Sequence, residues 1–319
     1  MTAHIVVPAL DPSGTPATLS KPIITDVLRG ELGYDGVVIT DALTMQGVRD
    51  NFRDDRIPVL ALQAGVDQLL MPAPGKLGIA YNAVLDAVRS GELTERRIDE
   101  SVGRVLRLKM KRGLFEPENV LVDESKVGSR VGTAAHQARA QGITDATVTL
   151  VKDDTDSLPL VAKDSRKVLV TGASVTSTLS ERIAARGPAA TAYNTGTAPS
   201  DAAIASAVEK ARKSDKVVVA TNKAWAPANA GQRKLVNELL ATGKPVVVVA
   251  VRDPYDIAYV TDAPTYLATY STTAISMESL ARVLFGEIQP GGKLPVTVPA
   301  AGDPGTTLYP FGHGMTSTS

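Results

Sequence analysis

The chain has 319 residues, of which 44% are hydrophobic and 21% are charged, and this length leaves room for about two globular domains. Its 34 basic residues balance its 34 acidic residues and no basic run is present, so the composition argues against a nucleic-acid partner or an anionic membrane surface. The chain has no cysteine, which excludes disulfides, zinc–thiolate sites and thiol catalysis, and no apolar stretch approaches the roughly 20 residues of a membrane span.

The sequence pattern of residues 1–114 predicts three strand–helix units. Short apolar runs predict the strands, and helical periodicity with capping residues predicts the helices. The predicted strands cover residues 3–7, 37–39 and 66–71, and the predicted helices cover residues 20–33, 58–64, 76–90 and 94–111. This alternation indicates right-handed βαβ units and an α/β fold with a parallel sheet. Three units fit either a small open sheet or the last part of a (β/α)8 barrel, which needs eight.

The second predicted strand ends in an aspartate. Val37 to Ile39 are apolar and β-branched, and Thr40 and Asp41 follow them directly. The carboxyl ends of barrel strands carry the chemistry, so Asp41 is the first candidate catalytic residue. Two other roles stay open: Asp41 caps the helix that follows, or it accepts a phosphoryl group. The second role calls for another acidic group nearby, which the next two residues do not supply.

The rest of the chain predicts a linker and a second domain. Residues 115–131 are polar and lack periodicity, as is typical of a connector. Residues 132–319 alternate strands and helices again and predict a complete α/β domain that folds by itself. The predicted strands cover residues 148–151, 168–171, 217–221, 245–251 and 266–268, and the predicted helices cover residues 133–141, 178–185, 202–213, 232–241 and 275–285.

Other polar and aromatic residues have competing interpretations. Asp67, at the start of the third strand, is expected to hydrogen-bond to the backbone rather than to contact a substrate. Met45 and Met71 follow strands and either line a substrate pocket or fill the core, and of the two the core is expected. The chain has neither a glycine-rich phosphate loop nor metal-ligand spacing, so no cofactor and no metal is expected.

Several segments resemble glycoside hydrolase family 3. In the first part these are Thr2-Ala3-His4, Pro8-Ala9-Leu10-Asp11, Ala17-Thr18-Leu19-Ser20, residues 28–36, Thr40-Asp41-Ala42-Leu43-Thr44-Met45 and Ala64-Gly65-Val66-Asp67. In the second part they are residues 283–286, 291–297 and 309–314. The resemblance implies units six to eight of a (β/α)8 barrel, followed by the C-terminal α/β sandwich domain of that family. It therefore implies that the earlier barrel units are absent from this chain.

The resemblance also implies a reaction. Within the family, Thr2-Ala3-His4 and Thr40-Asp41-Ala42 are similar to the β-N-acetylglucosaminidase branch, with Asp41 as the nucleophile of a retaining exo-glycosidase. The glucosidase branch takes its acid/base glutamate from the second domain, but residues 222–230 contain no carboxylate. In the acetylglucosaminidase branch the acid/base is a His–Asp pair on a barrel loop, which would precede Met1. The alternatives are a β-glucosidase or β-xylosidase, and a catalytically inactive chain that acts as a binding or interaction module.

Some residues are candidate sugar contacts under this resemblance. His4 and Met45 are candidate substrate-binding residues, although a structural role is open for each. His136 and His313 are expected to be structural, and neither matches the catalytic histidine of the family. Trp225 is the only tryptophan and is expected either to stack on a sugar or to anchor a domain interface.

The expected partners follow from the same resemblance. One is a carbohydrate substrate of the N-acetylglucosaminide class. The other is a protein partner that pairs with the exposed sheet edge, either the missing barrel half or a second copy of this chain. Without one of these, residues 1–114 are expected to be poorly ordered. The sequence leaves the localisation open. Residues 1–4 lack the pattern of a signal peptide, and a secreted or cell-envelope location of the full-length protein would depend on segments upstream.

Overall fold

A computed structural model describes residues 1–71, 75–155, 157–160 and 166–316 of the chain. It forms two compact units, Met1–Ser125 and Lys126–Ser319. The division falls within the segment interpreted above as a linker. This segment is not all loop, because it contains a 3-10 turn at Pro117–Asn119 and helix α5 at Glu124–Arg130.

The first unit is mostly helical. Its α-helices are α1 (Gln46–Arg49), α2 (Ile57–Ala64), α3 (Leu77–Arg89) and α4 (Glu95–Lys111), and it also has a 3-10 turn (Ala17–Leu19) and a wide π-type helix (Pro22–Glu31). Helix α2 ends at Gly65, which has φ of +111°, a conformation that favours glycine. Thr94 caps α4, as its side chain accepts a hydrogen bond from the Arg97 N–H.

The three strands predicted for this unit are extended segments rather than regular strands. They lie side by side in chain order, with the second segment in the centre. Backbone hydrogen bonds join them: Thr2 N–H to Ile39 O, Asp41 N–H to Thr2 O, Thr40 N–H to Gln68 O, Asp67 N–H and Gln68 N–H to Val38 O, and Leu43 N–H to Leu70 O. A regular ladder fails to form because the first segment leaves the pairing after its first residues, and the Ile5 carbonyl accepts its hydrogen bond from Ala17 N–H instead.

The core of the first unit lies between the central segment and the helices. Buried side chains from the segments meet those of the π-type helix and α2; they are Leu19, Ile24, Val38, Leu43, Val48, Ile57, Ala61, Ala64 and Val66. The first segment is less covered, since Ile5 is 58% exposed and Val6 is 48% exposed. The expectation that residues 1–114 pair with further chain or with a second copy stays a prediction.

The second unit is built on a six-stranded sheet. Its strands are β1 (Thr149–Asp153), β2 (Lys167–Gly172), β3 (Ala189–Asn194), β4 (Lys216–Thr221), β5 (Val246–Ala250) and β6 (Thr265–Ala268). Their spatial order is β1-β6-β5-β4-β2-β3, and all neighbours are parallel except β1 with β6. A separate antiparallel pair joins β7 (Val298–Ala300) to β8 (Asp303–Tyr309).

Helices in this unit cover both faces of the sheet. They are α6 (Ala134–Thr147), α7 (Thr176–Ala184), α8 (Asp201–Arg212), α9 (Gly231–Leu240) and α10 (Ala274–Leu284). Alternate residues of β5 point to opposite faces: Val246 and Val248 pack with residues of α8 and α9, and Val247 and Val249 pack with residues of α7 and α10. Every residue of β5 is therefore buried, which explains its continuous apolar sequence.

Strand β3 was missed by the sequence analysis. Its residues, Ala189–Asn194, are mostly exposed and include only one aromatic and one β-branched side chain. It lies at the edge of the sheet next to β2. An exposed edge strand does not need the apolar pattern by which the buried strands were predicted.

Candidate active site

Asp41 lies just after the central extended segment of the first unit and is half-buried. Its Oδ1 accepts a hydrogen bond from Ala42 N–H at 2.7 Å. Its Oδ2 has no hydrogen-bond partner in the described part of the chain. Helix α1 begins at Gln46 with Met45 at the capping position, so Asp41 does not cap it. The side chain therefore offers one free carboxylate oxygen, as a nucleophile requires.

His4 is fixed beside this carboxylate through the backbone. Its Nε2 lies 3.0 Å from the carbonyl oxygen of Ala42, and its Nδ1 lies 2.9 Å from Thr18 Oγ1. A carbonyl only accepts hydrogen bonds, so Nε2 carries a proton and donates it. The imidazole thus joins the first segment to the residue that follows Asp41. Thr18 lies in the 3-10 turn Ala17–Leu19, 14 positions from His4, and the sequence analysis did not assign it to the site.

Met45 lies close to Asp41 in the chain and is 45% exposed. Its backbone N–H donates to Ala42 O at 3.1 Å, which closes the turn after Asp41. Met71 is 58% exposed. The expectation that these two methionines fill the core is wrong, since both side chains are exposed.

Asp67 is the centre of a buried ion-pair cluster at the opposite, amino-terminal end of the segments. Its side chain is 0% exposed and contacts Arg29 at 2.7 Å, Arg104 at 3.0 Å and Arg97 at 3.6 Å. It also accepts hydrogen bonds from Val38 N–H at 2.9 Å and Ser101 Oγ at 2.7 Å. The predicted backbone hydrogen bond is confirmed, and the carboxylate has a structural role.

Burial and charge act on the pKa of Asp67 in opposite directions. Burial raises this pKa, whereas the hydrogen bonds from Val38 and Ser101 and the charges of Arg29 and Arg104 lower it. Their sum holds the pKa below the usual value, so Asp67 is ionised at neutral pH.

The two histidines of the second unit have structural surroundings. His313 Nε2 lies 2.8 Å from Val151 O, and its ring contacts that of Tyr309 at a centroid distance of 4.9 Å. His136 is exposed on α6, and its backbone N–H donates to the capping Thr133. Among the residues that the structure describes, no group of three or more metal-binding side chains lies together, and no helix is long and apolar enough to cross a membrane.

Both parts of the chain match models of one protein family. Residues 1–108 match the glycosyl hydrolase family 3 N-terminal domain, and residues 148–317 match the C-terminal domain of the same family. A solved structure of a glycoside hydrolase family 3 β-N-acetylglucosaminidase from Paenibacillus sp. str. FPU-7 superposes with a TM-score of 0.75 and 31% identity, covering 90% of this chain and 56% of that one.

The curated relatives carry several activity names. A β-xylosidase from Formosa agariphila is 25% identical over 97% of this chain and 52% of its own length. A β-N-acetylglucosaminidase/β-glucosidase from Cellulomonas fimi is 24% identical over 93% of this chain and 57% of its own length. The chain thus spans about half the length of these relatives.

Proposed function

Because the chain belongs to glycosyl hydrolase family 3, we propose that the whole protein is a retaining exo-β-N-acetylglucosaminidase with Asp41 as its nucleophile. The observation that carries this proposal is the free Oδ2 of Asp41 at the carboxyl end of the central segment. Asp67, at the amino-terminal end of the third segment, is paired with three arginines, whereas no ion pair of Asp41 is present in the described part of the chain.

The proposed reaction has two displacements. Asp41 Oδ2 attacks the anomeric carbon, the bond to the leaving oxygen breaks, and an acid protonates that oxygen. A water molecule then attacks the glycosyl-aspartate, loses a proton to the conjugate base, and releases Asp41. Residues 222–230 contain no carboxylate to act as this acid. We therefore place the acid/base group in the part of the relatives' length that this chain does not cover.

Two features support the acetylglucosaminide substrate. The motif Thr40-Asp41-Ala42-Leu43-Thr44-Met45 resembles that branch, and the structural neighbour named above is a β-N-acetylglucosaminidase with 31% identity to this chain. The names of the curated relatives favour a second candidate, a β-glucosidase or β-xylosidase.

A competition between chromogenic substrates tests the proposal. We expect the whole protein to hydrolyse an aryl N-acetyl-β-glucosaminide with a kcat/KM at least ~100-fold above those for the matching β-glucoside and β-xyloside. The reason is that polar groups placed to hydrogen-bond the acetamido group have no partner when a substrate without that group is bound. The product should keep the β configuration in its first-formed anomer, as measured by NMR. A preference for the glucoside or xyloside establishes the second candidate instead.

His4 is expected to position the loop of Asp41. The His4→Ala variant removes the bridge between Thr18 and Ala42, and we expect kcat/KM to fall about 10–100-fold, because small displacements of a nucleophile are costly. The pH profile of the remaining activity should be unchanged, whereas the loss of one limb would show that His4 transfers protons. His136→Ala, which removes an exposed histidine of the second unit, is the control and should retain full activity.

A further inference from the structure

The second unit has a small aromatic pocket of its own. It has a volume of about 230 Å³ and is lined by Trp225, Tyr255, Ala258, Tyr259 and Pro299–Ala301. Trp225 comes from the loop after β4, and the two tyrosines come from the 3-10 helix Pro254–Tyr259, which follows β5. The pocket therefore lies at the carboxyl end of the parallel strands, where open α/β sheets bind their ligands. These residues are named the aromatic pocket below.

The loop that carries Trp225 is held rigidly. Trp225 Nε1 donates to Asp253 Oδ2 at 3.2 Å, and its backbone N–H donates to Asp256 Oδ1 at 3.1 Å. Arg233 donates to the carbonyl oxygens of Ala224 and Trp225, both at 2.6 Å. An aromatic side chain fixed in this way loses little conformational entropy when a ligand stacks on it.

The base of this loop is strained and buried. Lys223 has φ of +53°, a left-handed conformation that a lysine rarely adopts. Asp256 is completely buried beneath the loop, and burial raises its pKa to about 6. Strained backbone and buried ionisable groups are costly, and both are common where a binding site must be held in shape.

The polar groups of the pocket favour an uncharged ligand. None of the residues that line the pocket carries a charged side chain. Arg233 lies behind this lining, with its guanidinium carbon 4.1 Å from the centroid of the Tyr259 ring. The hydroxyl groups of Tyr255 and Tyr259 have no hydrogen-bond partner among the residues that the structure describes. Flat aromatic faces next to free hydroxyl groups match a ring with an apolar face and polar edges. The volume is below the ~300–1,000 Å³ of drug-sized ligand pockets, so one ring fits.

We propose that the aromatic pocket binds one neutral sugar ring, stacked on Trp225 and hydrogen-bonded to Tyr255 and Tyr259. The choice of a sugar rests on the proposed glycosidase function. The binding site itself consists only of residues of the second unit and does not use Asp41.

Trp225 makes the site directly observable, since it is the only tryptophan of the chain. We expect N-acetylglucosamine or glucose to change the tryptophan emission of the full chain along a saturable curve, with a Kd of ~1 mM for such a small contact. Sorbitol, an acyclic polyol of similar size, should give no saturable change. The absence of a saturable change with both sugars would overturn the proposal.

Three variants test whether the sugar binds in the aromatic pocket. Ala301→Phe places a bulky group at an exposed position of the pocket rim and should abolish the titration, and circular dichroism should show an unchanged fold. Tyr255→Phe should weaken binding roughly 3–10-fold by removing one hydroxyl group. Tyr193→Phe, on β3 at the sheet edge, is the matched control and should bind as the wild type does.

Asp41→Asn separates this inference from the proposed function. This variant should lose hydrolysis and keep the emission titration. A titration that Asp41→Asn abolishes and Ala301→Phe retains would place the sugar at Asp41 and overturn the proposal. A protein that hydrolyses no glycoside but still titrates would leave the aromatic pocket standing while the proposed function fails. An emission that depends on protein concentration without sugar would mean that a second copy occupies the pocket, which also overturns it.

Discussion

We expect the Asp41→Asn variant of the whole protein to lose roughly 10⁴–10⁶-fold in kcat, the effect seen when the central nucleophile of a hydrolase is removed. Asparagine has the same shape and keeps an oxygen that accepts the hydrogen bond of Ala42 N–H, so the fold should be unchanged. It lacks the charge that forms the glycosyl-enzyme bond. The measurement is the steady-state hydrolysis of an activated aryl glycoside.

Chemical rescue distinguishes a nucleophile from a charge that only stabilises the transition state. In Asp41→Gly the space of the carboxylate is open, and added azide should attack from the same side as Asp41. Activity should return with azide concentration, and the product should be the glycosyl azide of α configuration. Asp35→Asn, which changes an exposed aspartate of the same unit, is the control and should be fully active. A β-configured azide, or an Asp41→Asn rate within tenfold of the wild type, would contradict the assignment of Asp41.

The Asp67→Asn variant is expected to lower the free energy of unfolding of the first unit by about 3–5 kcal/mol. The change leaves Arg29 and Arg104, whose side chains are 12% and 17% exposed, without the buried charge that they contact. Removing one partner of a buried ion pair is costly because the remaining charges stay desolvated. Trp225 lies in the second unit and does not report on this change, so hydrogen exchange along α4 is the suitable measurement.

Asp86→Asn provides the comparison for Asp67. Asp86 pairs with Arg89 at 3.8 Å, but its side chain is 75% exposed, so its replacement should leave hydrogen exchange unchanged. An equal effect of the two substitutions would show that the arginine cluster does not stabilise the unit.

The contribution of Asp67 should also depend on pH. Its pKa is lowered in the folded state, so the unfolded chain binds the proton more readily. The stabilisation is therefore complete above the unfolded pKa of about 3.9 and is lost as the pH falls below it through the folded pKa. The wild type should lose stability in this acid range, and Asp67→Asn should lack that component.

The sequence by itself determined that the second unit is an α/β domain and that Asp41 directly follows an apolar extended segment. Continuous apolar runs such as Val246–Ala250 are typical of strands that helices cover on both faces of the sheet, and the sequence pattern shows such a run directly. The motif around Asp41 identified the family, and the family models that match both parts of the chain confirm it. Edge strand β3 carried no such pattern because it is not buried.

Only the tertiary structure decided what each polar side chain does. Asp41 and Asp67 both adjoin short apolar runs, yet Asp67 meets Arg29 and Arg104, which are 38 and 37 positions away in the chain. His4 reaches Ala42 across 38 positions. Trp225 meets Asp253 across 28. Local propensity carries no information about partners at such separations, because charges and hydrogen bonds act over a few ångströms in space and the fold alone brings these residues within that distance.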